Sequence, residues 1–146
     1  MKKILLTLVA IFSVGVFAAL ADNDKVINKN KLPAQAQSFL KAHFDGVELT
    51  YAKQERDVFE RSYEVMLANG SKIEFSSKGN WEEIDCRYGE VPAAIVPEPI
   101  KEFVAKNYAG EKIVSIERKR NETEIRLSNR LELTFDKNLN IIDIDD

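Results

Sequence analysis

Two stretches of this chain match each other at a fixed spacing, and that self-similarity limits the possible folds more than any single motif does. LPAQAQSFLKAHFDG begins at Leu32 and VPEPIKEFVAKNYAG at Val96, every position displaced by 64. Pro33 falls on Pro97, Phe39 on Phe103, Leu40 on Val104, Phe44 on Tyr108 and Gly46 on Gly110. A second match, displaced by 60, runs from Tyr63 to Asp85 against Thr123 to Asp145. It sets Val65 on Ile125, Leu67 on Leu127, Asn69 on Asn129, Ile73 on Leu133, Phe75 on Phe135 and Ile84 on Ile144. One four-residue gap, in the first strand or the turn after it, reconciles the two displacements.

Each half reads as a helix followed by strands. Proline is tolerated in a first helical turn, where its missing donor has no partner to lose. After it, Ala36, Phe39, Leu40 and Phe44 recur at helical spacing, as do Ile100, Phe103, Val104 and Tyr108. Gly46 and Gly110 mark the stops. Apolar residues then alternate with polar ones at Val47, Leu49 and Tyr51, at Tyr63, Val65 and Leu67, and at Ile73 and Phe75, the period of a sheet with one wet face. In the second half the strands fall at 113–116, 125–127, 131–135 and 141–144. Asn69-Gly70 signals a tight hairpin, and Ser77 to Asn80 and Asp136 to Asn138 the next turns. Gly89 to Pro99, with prolines at 92, 97 and 99, reads as a linker. The expected fold class is α+β: two tandem helix-plus-antiparallel-strands repeats, about 32–86 and 96–145, forming one sheet with two helices packed on one face. Residues 22–146 are then a single domain sharing one core, in which truncating Phe39 or Phe103 to alanine costs about 3–5 kcal/mol.

The first residues have a different purpose. Met1-Lys2-Lys3 precedes an uncharged apolar stretch that closes in Ala19-Leu20-Ala21, the three regions of a secretion signal, and cleavage is expected after Ala21. A spanning helix needs about 20 apolar residues, and this stretch is shorter. No cysteine lies near the cut to carry a lipid, so the product is expected free in a periplasm or the medium, with no membrane anchor. Losing Lys2 and Lys3 moves the formal charge from −3 to −5, which disfavours nucleic acid and anionic lipid as partners. About 125 mature residues can bury a core without staples. The single cysteine, Cys86, reads either as a half-buried small hydrophobe at a strand end or as a reactive or intermolecular thiol.

With VPAAIVPEPIKEFVAKNY in the linker and second helix, and FDKNLNIIDID at the strand-turn ending, the stretch from Leu32 to Asp145 resembles the PepSY-like, beta-lactamase-inhibitor-like family of periplasmic proteins. The resemblance implies two helices on one face of an antiparallel sheet whose other, concave face is open. In inhibitors of that architecture the exposed face and hairpin loops dock on an enzyme. No contact motif is visible from which to carry residues over.

Motifs of chemistry are sparse. The one histidine, His43, corresponds to Asn107 on a helix flank, and a Cys86–His43 dyad has only permissive spacing behind it. No His-Glu-x-x-His, paired Cys-x-x-Cys, Gly-rich phosphate loop or Gly-x-Ser-x-Gly occurs, so no catalytic residue, cofactor or metal is assigned. Glu82, Glu83 and Asp85, with Asp143, Asp145 and Asp146, read as charged strand ends that discourage aggregation, or as a calcium site if the two strand ends are neighbours. The expected function is a non-catalytic binding or inhibitory module for a protein or peptide; an enzyme of unrecognised type and an envelope component without a discrete ligand are the alternatives. Candidate partner-binding residues are Asn69, Gly70, Asn129 and Arg130 in the hairpins, Trp81 and Tyr88 as aromatic anchors, and Arg118, Arg120 and Arg126. The arginines belong to a mixed-charge stretch that reads as an ordinary wet face or, if that face is the open one, as steering for an acidic partner.

Overall fold

The computed structural model describes residues 24–146; the expected signal peptide and its cleavage site after Ala21 lie outside them. Nine strands form one antiparallel sheet in chain order: β1 Asp24–Ile27, β2 Leu49–Arg56, β3 Arg61–Leu67, β4 Lys72–Ser76, β5 Trp81–Asp85, β6 Ile113–Arg118, β7 Glu122–Leu127, β8 Glu132–Asp136 and β9 Ile141–Asp145. Helix α1, Ala34–His43, connects β1 to β2, and α2, Glu98–Asn107, connects β5 to β6. A 3-10 turn at Lys29–Lys31 leads into α1.

Register explains the core. Ile27, Ala52, Val65, Ile73, Ile84, Ile116, Ile125, Leu133 and Ile144 pair in succession, one from each strand, so a single apolar row crosses the whole sheet. Directly opposed residues share a face, and so do residues two apart on one strand. Phe75 and Phe135 therefore lie on the face of this row. Phe39 of α1 meets Phe75 edge-on at 5.7 Å, and Phe103 of α2 meets Phe135 at 5.5 Å. Both helices thus cover the same face.

The helices dock by narrower stripes than the spacing suggests. Ala36 and Leu40 are buried in α1 and Ile100 and Val104 in α2, whereas Phe39 and Phe103 are only partly covered. The expected cost of 3–5 kcal/mol accordingly belongs to the sheet aromatics beneath them, not to the helix aromatics. Each helix closes with an aromatic N–H on the carbonyl four residues back, Phe44 to Leu40 and Tyr108 to Val104, both 2.8 Å. The Gly89–Pro99 segment is packed down as well: Val91 and Val96 are buried in the core.

The turn between β4 and β5 fixes the start of α1. Gly79 has φ +88, and a Cβ there would stand 2.9 Å from both the Ala36 nitrogen and the Pro33 Cβ. Beside it, Gln35 Nε2 donates to Asn80 Oδ1 at 2.7 Å. A left-handed non-glycine residue costs about 1–3 kcal/mol, and here the neighbours are backbone and ring atoms that cannot swing away. Gly79→Ala is expected to lose about 3 kcal/mol, against about 1 kcal/mol for Gly46→Ala, where nothing lies within 4 Å. Urea unfolding of the two variants tests the difference.

Candidate functional site

The face without helices carries a row of its own. One residue along each strand from the apolar row, Lys53, Glu64, Glu74, Glu83, Glu117, Glu124, Thr134 and Asp143 are opposed in succession. Five neighbouring strands thus set glutamate against glutamate. Like charges directly opposed across a sheet are destabilising, so local stability does not explain the row. Although among the described residues no helix lies over this face, Glu64, Asp85 and Ser115 are buried, at 8%, 4% and 8% exposure.

Lysines answer four of the five glutamates, Glu64, Glu74, Glu117 and Glu124, and leave Glu83 between them without one. Lys53 Nζ lies 2.9 Å from Glu55, 3.4 Å from Asp24 and 3.7 Å from Glu64, and these carboxylates hold its ammonium well above the usual lysine range. Tyr51 donates to Glu64 at 2.7 Å, and that bond raises its phenol pKa. Lys72 reaches Glu74 at 3.4 Å, and Lys119 reaches Glu124 at 3.1 Å and Glu117 at 3.9 Å. Glu83, in the middle, has no ion pair among the described residues; burial first, then Glu74, pushes its carboxyl up. On the same face Asp85 Oδ2 accepts from Arg87 at 3.0 Å, while its buried Oδ1 has no partner among the described residues.

A carboxyl raised by folding contributes stability that is fully present below its unfolded pKa and is lost as pH rises through the folded value. Glu83→Gln is therefore expected to stabilise the protein at neutral pH, by about 0.5 kcal/mol, the size of one relieved like-charge pair. Thermal melts should show the advantage shrinking as the buffer is acidified.

The candidates drawn from the sequence fall at two ends of the sheet. Because odd-numbered strands run parallel, Asn69 and Gly70 after β3, Tyr88 after β5, and Asn129 and Arg130 after β7 lie at one end. There Asn69 Oδ1 accepts from Ser71 N at 2.9 Å and Asn129 Oδ1 from Leu131 N at 3.1 Å. Gly70 and Arg130 both take positive φ. The Tyr88 ring, 82% exposed, lies against Gly70. At the other end are Trp81, Arg118 and Arg120. Trp81 is partly buried against Phe39, at 6.4 Å between rings. The Arg118 guanidinium lies 3.7 Å over the indole and donates to the Trp81 carbonyl.

This corrects the expectation for the basic stretch. Arg118 pairs with Thr123, which pairs with Phe135, so it belongs to the helix-bearing face. Arg126 alone of the three is on the open face, 3.4 Å from Glu132, and that face is acidic. The glutamate row was missed because it needs register. Its signal in the sequence is a glutamate beside the central apolar residue of each strand, in YEVML, KIEFS, EEID, SIER and TEIRL.

The calcium reading of the two strand ends also changes. Three strands separate β5 from β9, placing Asp85 and Asp145 roughly 19 Å apart at ordinary strand spacing. Among the described residues no three His, Cys, Asp or Glu side chains are placed to hold a metal ion. Cys86 is buried beside Ser71 Oγ, at 3.4 Å, and desolvation raises its thiol pKa, the opposite of an activated nucleophile. His43 instead stacks at 4.7 Å on Phe39, and no hydrogen bond joins it to Cys86.

Residues 61–143 match the family described as "Putative beta-lactamase-inhibitor-like, PepSY-like". No curated protein matches the chain. Among solved structures it is similar to a protein of the DUF2874 family from Bacteroides vulgatus described as a "putative periplasmic protein", at 48% identity and TM-score 0.83, over 86% of this chain and 99% of that one. A Bacteroides thetaiotaomicron protein described as a "putative calcium-regulated periplasmic protein" is similar at 48% identity and TM-score 0.84, over the same shares. A second B. vulgatus protein, of unknown function, is similar at 41% identity and TM-score 0.81, over 84% and 99%.

Proposed function

This chain belongs to the PepSY-like, beta-lactamase-inhibitor-like family, and from that premise we propose that it serves in the periplasm as a non-catalytic module that binds a protein or peptide through the open face of its sheet. The periplasmic descriptions of its neighbours support the location, and the secretion-signal pattern ending in Ala19-Leu20-Ala21 supports cleavage after Ala21. We read the two halves as copies of one unit whose common sheet supplies that face. The observation that carries the reading is the opposed glutamate row. Sequences keep destabilising like-charge contacts where function needs them, and an acidic face attracts a positively charged segment and repels an acidic one.

The partner surface is therefore basic, not the acidic one that the arginine stretch would have steered had it lain on the open face. The test is affinity capture from periplasmic extract with wild type and with a Glu83→Lys/Glu117→Lys variant, each at low and high salt. Wild-type capture of a basic partner that is lost in the variant supports the reading; equal capture by both baits removes it.

Calcium on the same face is a second reading. The unpartnered Asp85 Oδ1, opposite Ser115 and beside the glutamate row, favours it, and so does the description of the B. thetaiotaomicron relative. Carboxylate and hydroxyl oxygens are the donors a hard cation takes. Titration calorimetry with calcium chloride decides it, with magnesium as control: heat and a raised melting temperature with wild type, both absent in Asp85→Asn, are expected, and no heat with wild type dismisses the ion.

A further inference from the structure

The edge strand β9 repeats the pattern of β5 without its neighbour. Glu83-Ile84-Asp85 on β5 and Asp143-Ile144-Asp145 on β9 occupy the same rows of the sheet, apolar toward the helices and acidic toward the open face. The far side of β5 is taken by β6, with Glu117, Ile116 and Ser115 opposite those three residues. The far side of β9 is taken by nothing among the described residues. The consequence shows in burial: Ile84 is fully covered, whereas Ile144 is 50% and Ile142 53% exposed. Asp143 and Asp145 have no ion pair among the described residues.

Resting on the partner-binding reading above, we propose that β9 is a docking edge that accepts an extended segment of the partner protein as a tenth antiparallel strand. In that segment an apolar residue opposite Ile144 is flanked by lysines or arginines opposite Asp143 and Asp145. The internal β5–β6 pairing is the template for the geometry. An apolar side chain opposite Ile144 extends the buried row by one rung, and a basic one opposite Asp143 forms an ion pair at the position where its counterpart on β5, Glu83, faces Glu117. Main-chain hydrogen bonds supply affinity, and the alternation of side chains supplies specificity.

A second copy of the chain fits poorly. Antiparallel pairing of β9 with itself about Ile144 sets Asp143 against Asp145. The opposite edge of the sheet, Asp24-Lys25-Val26-Ile27, offers no apolar residue flanked on both sides by basic ones. The charge that repels a copy selects a basic strand, which is how charged edges combine protection with recognition.

Three synthetic nine-residue peptides test this by calorimetry on the folded protein. One alternates lysine with valine or isoleucine, one has the same composition with its lysines grouped, and one is the alternating peptide N-methylated on the amides that would face β9. The alternating peptide is expected to bind at least tenfold tighter than the other two, to protect β9 amides from hydrogen exchange, and to lose that advantage on Asp143→Lys/Asp145→Lys. Those residues are exposed, and circular dichroism confirms the fold of the variant. Equal binding of all three peptides, or an undiminished advantage in the variant, overturns the edge proposal and leaves the acidic-face reading standing. Binding by none of them overturns both.

Discussion

Phe75→Ala is expected to lower the free energy of unfolding by about 3–5 kcal/mol, and Phe39→Ala by roughly half as much. The two rings touch, at 5.7 Å and nearly perpendicular, yet they differ in what replaces them. Phe75 is fully enclosed between the sheet and α1, with Tyr63 and Trp81 opposite on the flanking strands. Removing its ring leaves a hole lined by branched and aromatic side chains that water cannot fill favourably, so transfer and cavity terms add. Phe39 is only partly covered, and solvent and a turn of the His43 ring can occupy the space it leaves. Urea midpoints at unchanged slope read the difference directly. Equal losses at the two positions would mean that the helix aromatic anchors α1 as strongly as the sheet aromatic does.

That contrast also shows what the sequence could and could not reveal. The helices, the hairpin at Asn69-Gly70 and most strands were legible, because a period of 3.6 or 2 together with a glycine or proline stop is a local property. Val65, Leu67, Ile73, Phe75, Ile125, Leu127, Leu133 and Phe135, picked from alternation, are all buried. Strand β1 was not legible, since Asp24-Lys25-Val26-Ile27 has no apolar alternation; it is a strand because β2 offers it a backbone edge and Lys53 an ion pair. The packed segment around Val91 and Val96 looked like a linker because its prolines mask two buried valines. The open-face site was the least legible. Five glutamates in five separate strands become a row only when every register is known, and a slip of one residue anywhere would scatter them. The arginine cluster, contiguous in sequence and so easy to see, is divided between two faces for the same reason.

Ile116→Asp is expected to abolish the fold of the whole chain. Among the described residues the two halves of the sheet meet at β5 and β6, through the pairs Glu83–Glu117, Ile84–Ile116 and Asp85–Ser115, the bond from Cys86 N to the Val114 carbonyl at 2.7 Å and the Arg118 guanidinium on Trp81. Ile116 is fully buried at that junction. An unpaired carboxylate there would cost several kcal/mol beyond the lost apolar burial, against a total stability of about 5–15 kcal/mol for a domain of this size. Far-UV dichroism and Trp81 fluorescence should then be lost together, since Trp81 sits at the junction, against Phe39 of the first half and Arg118 of the second. The control is Ile144→Asp, the same change at the outer rung of the same apolar row, where half the side chain already meets water; it should cost about 1 kcal/mol or less. A native Trp81 signal surviving in Ile116→Asp would mean that the first half stands alone, and the shared core, with the continuous open face of the sheet, would have to be given up.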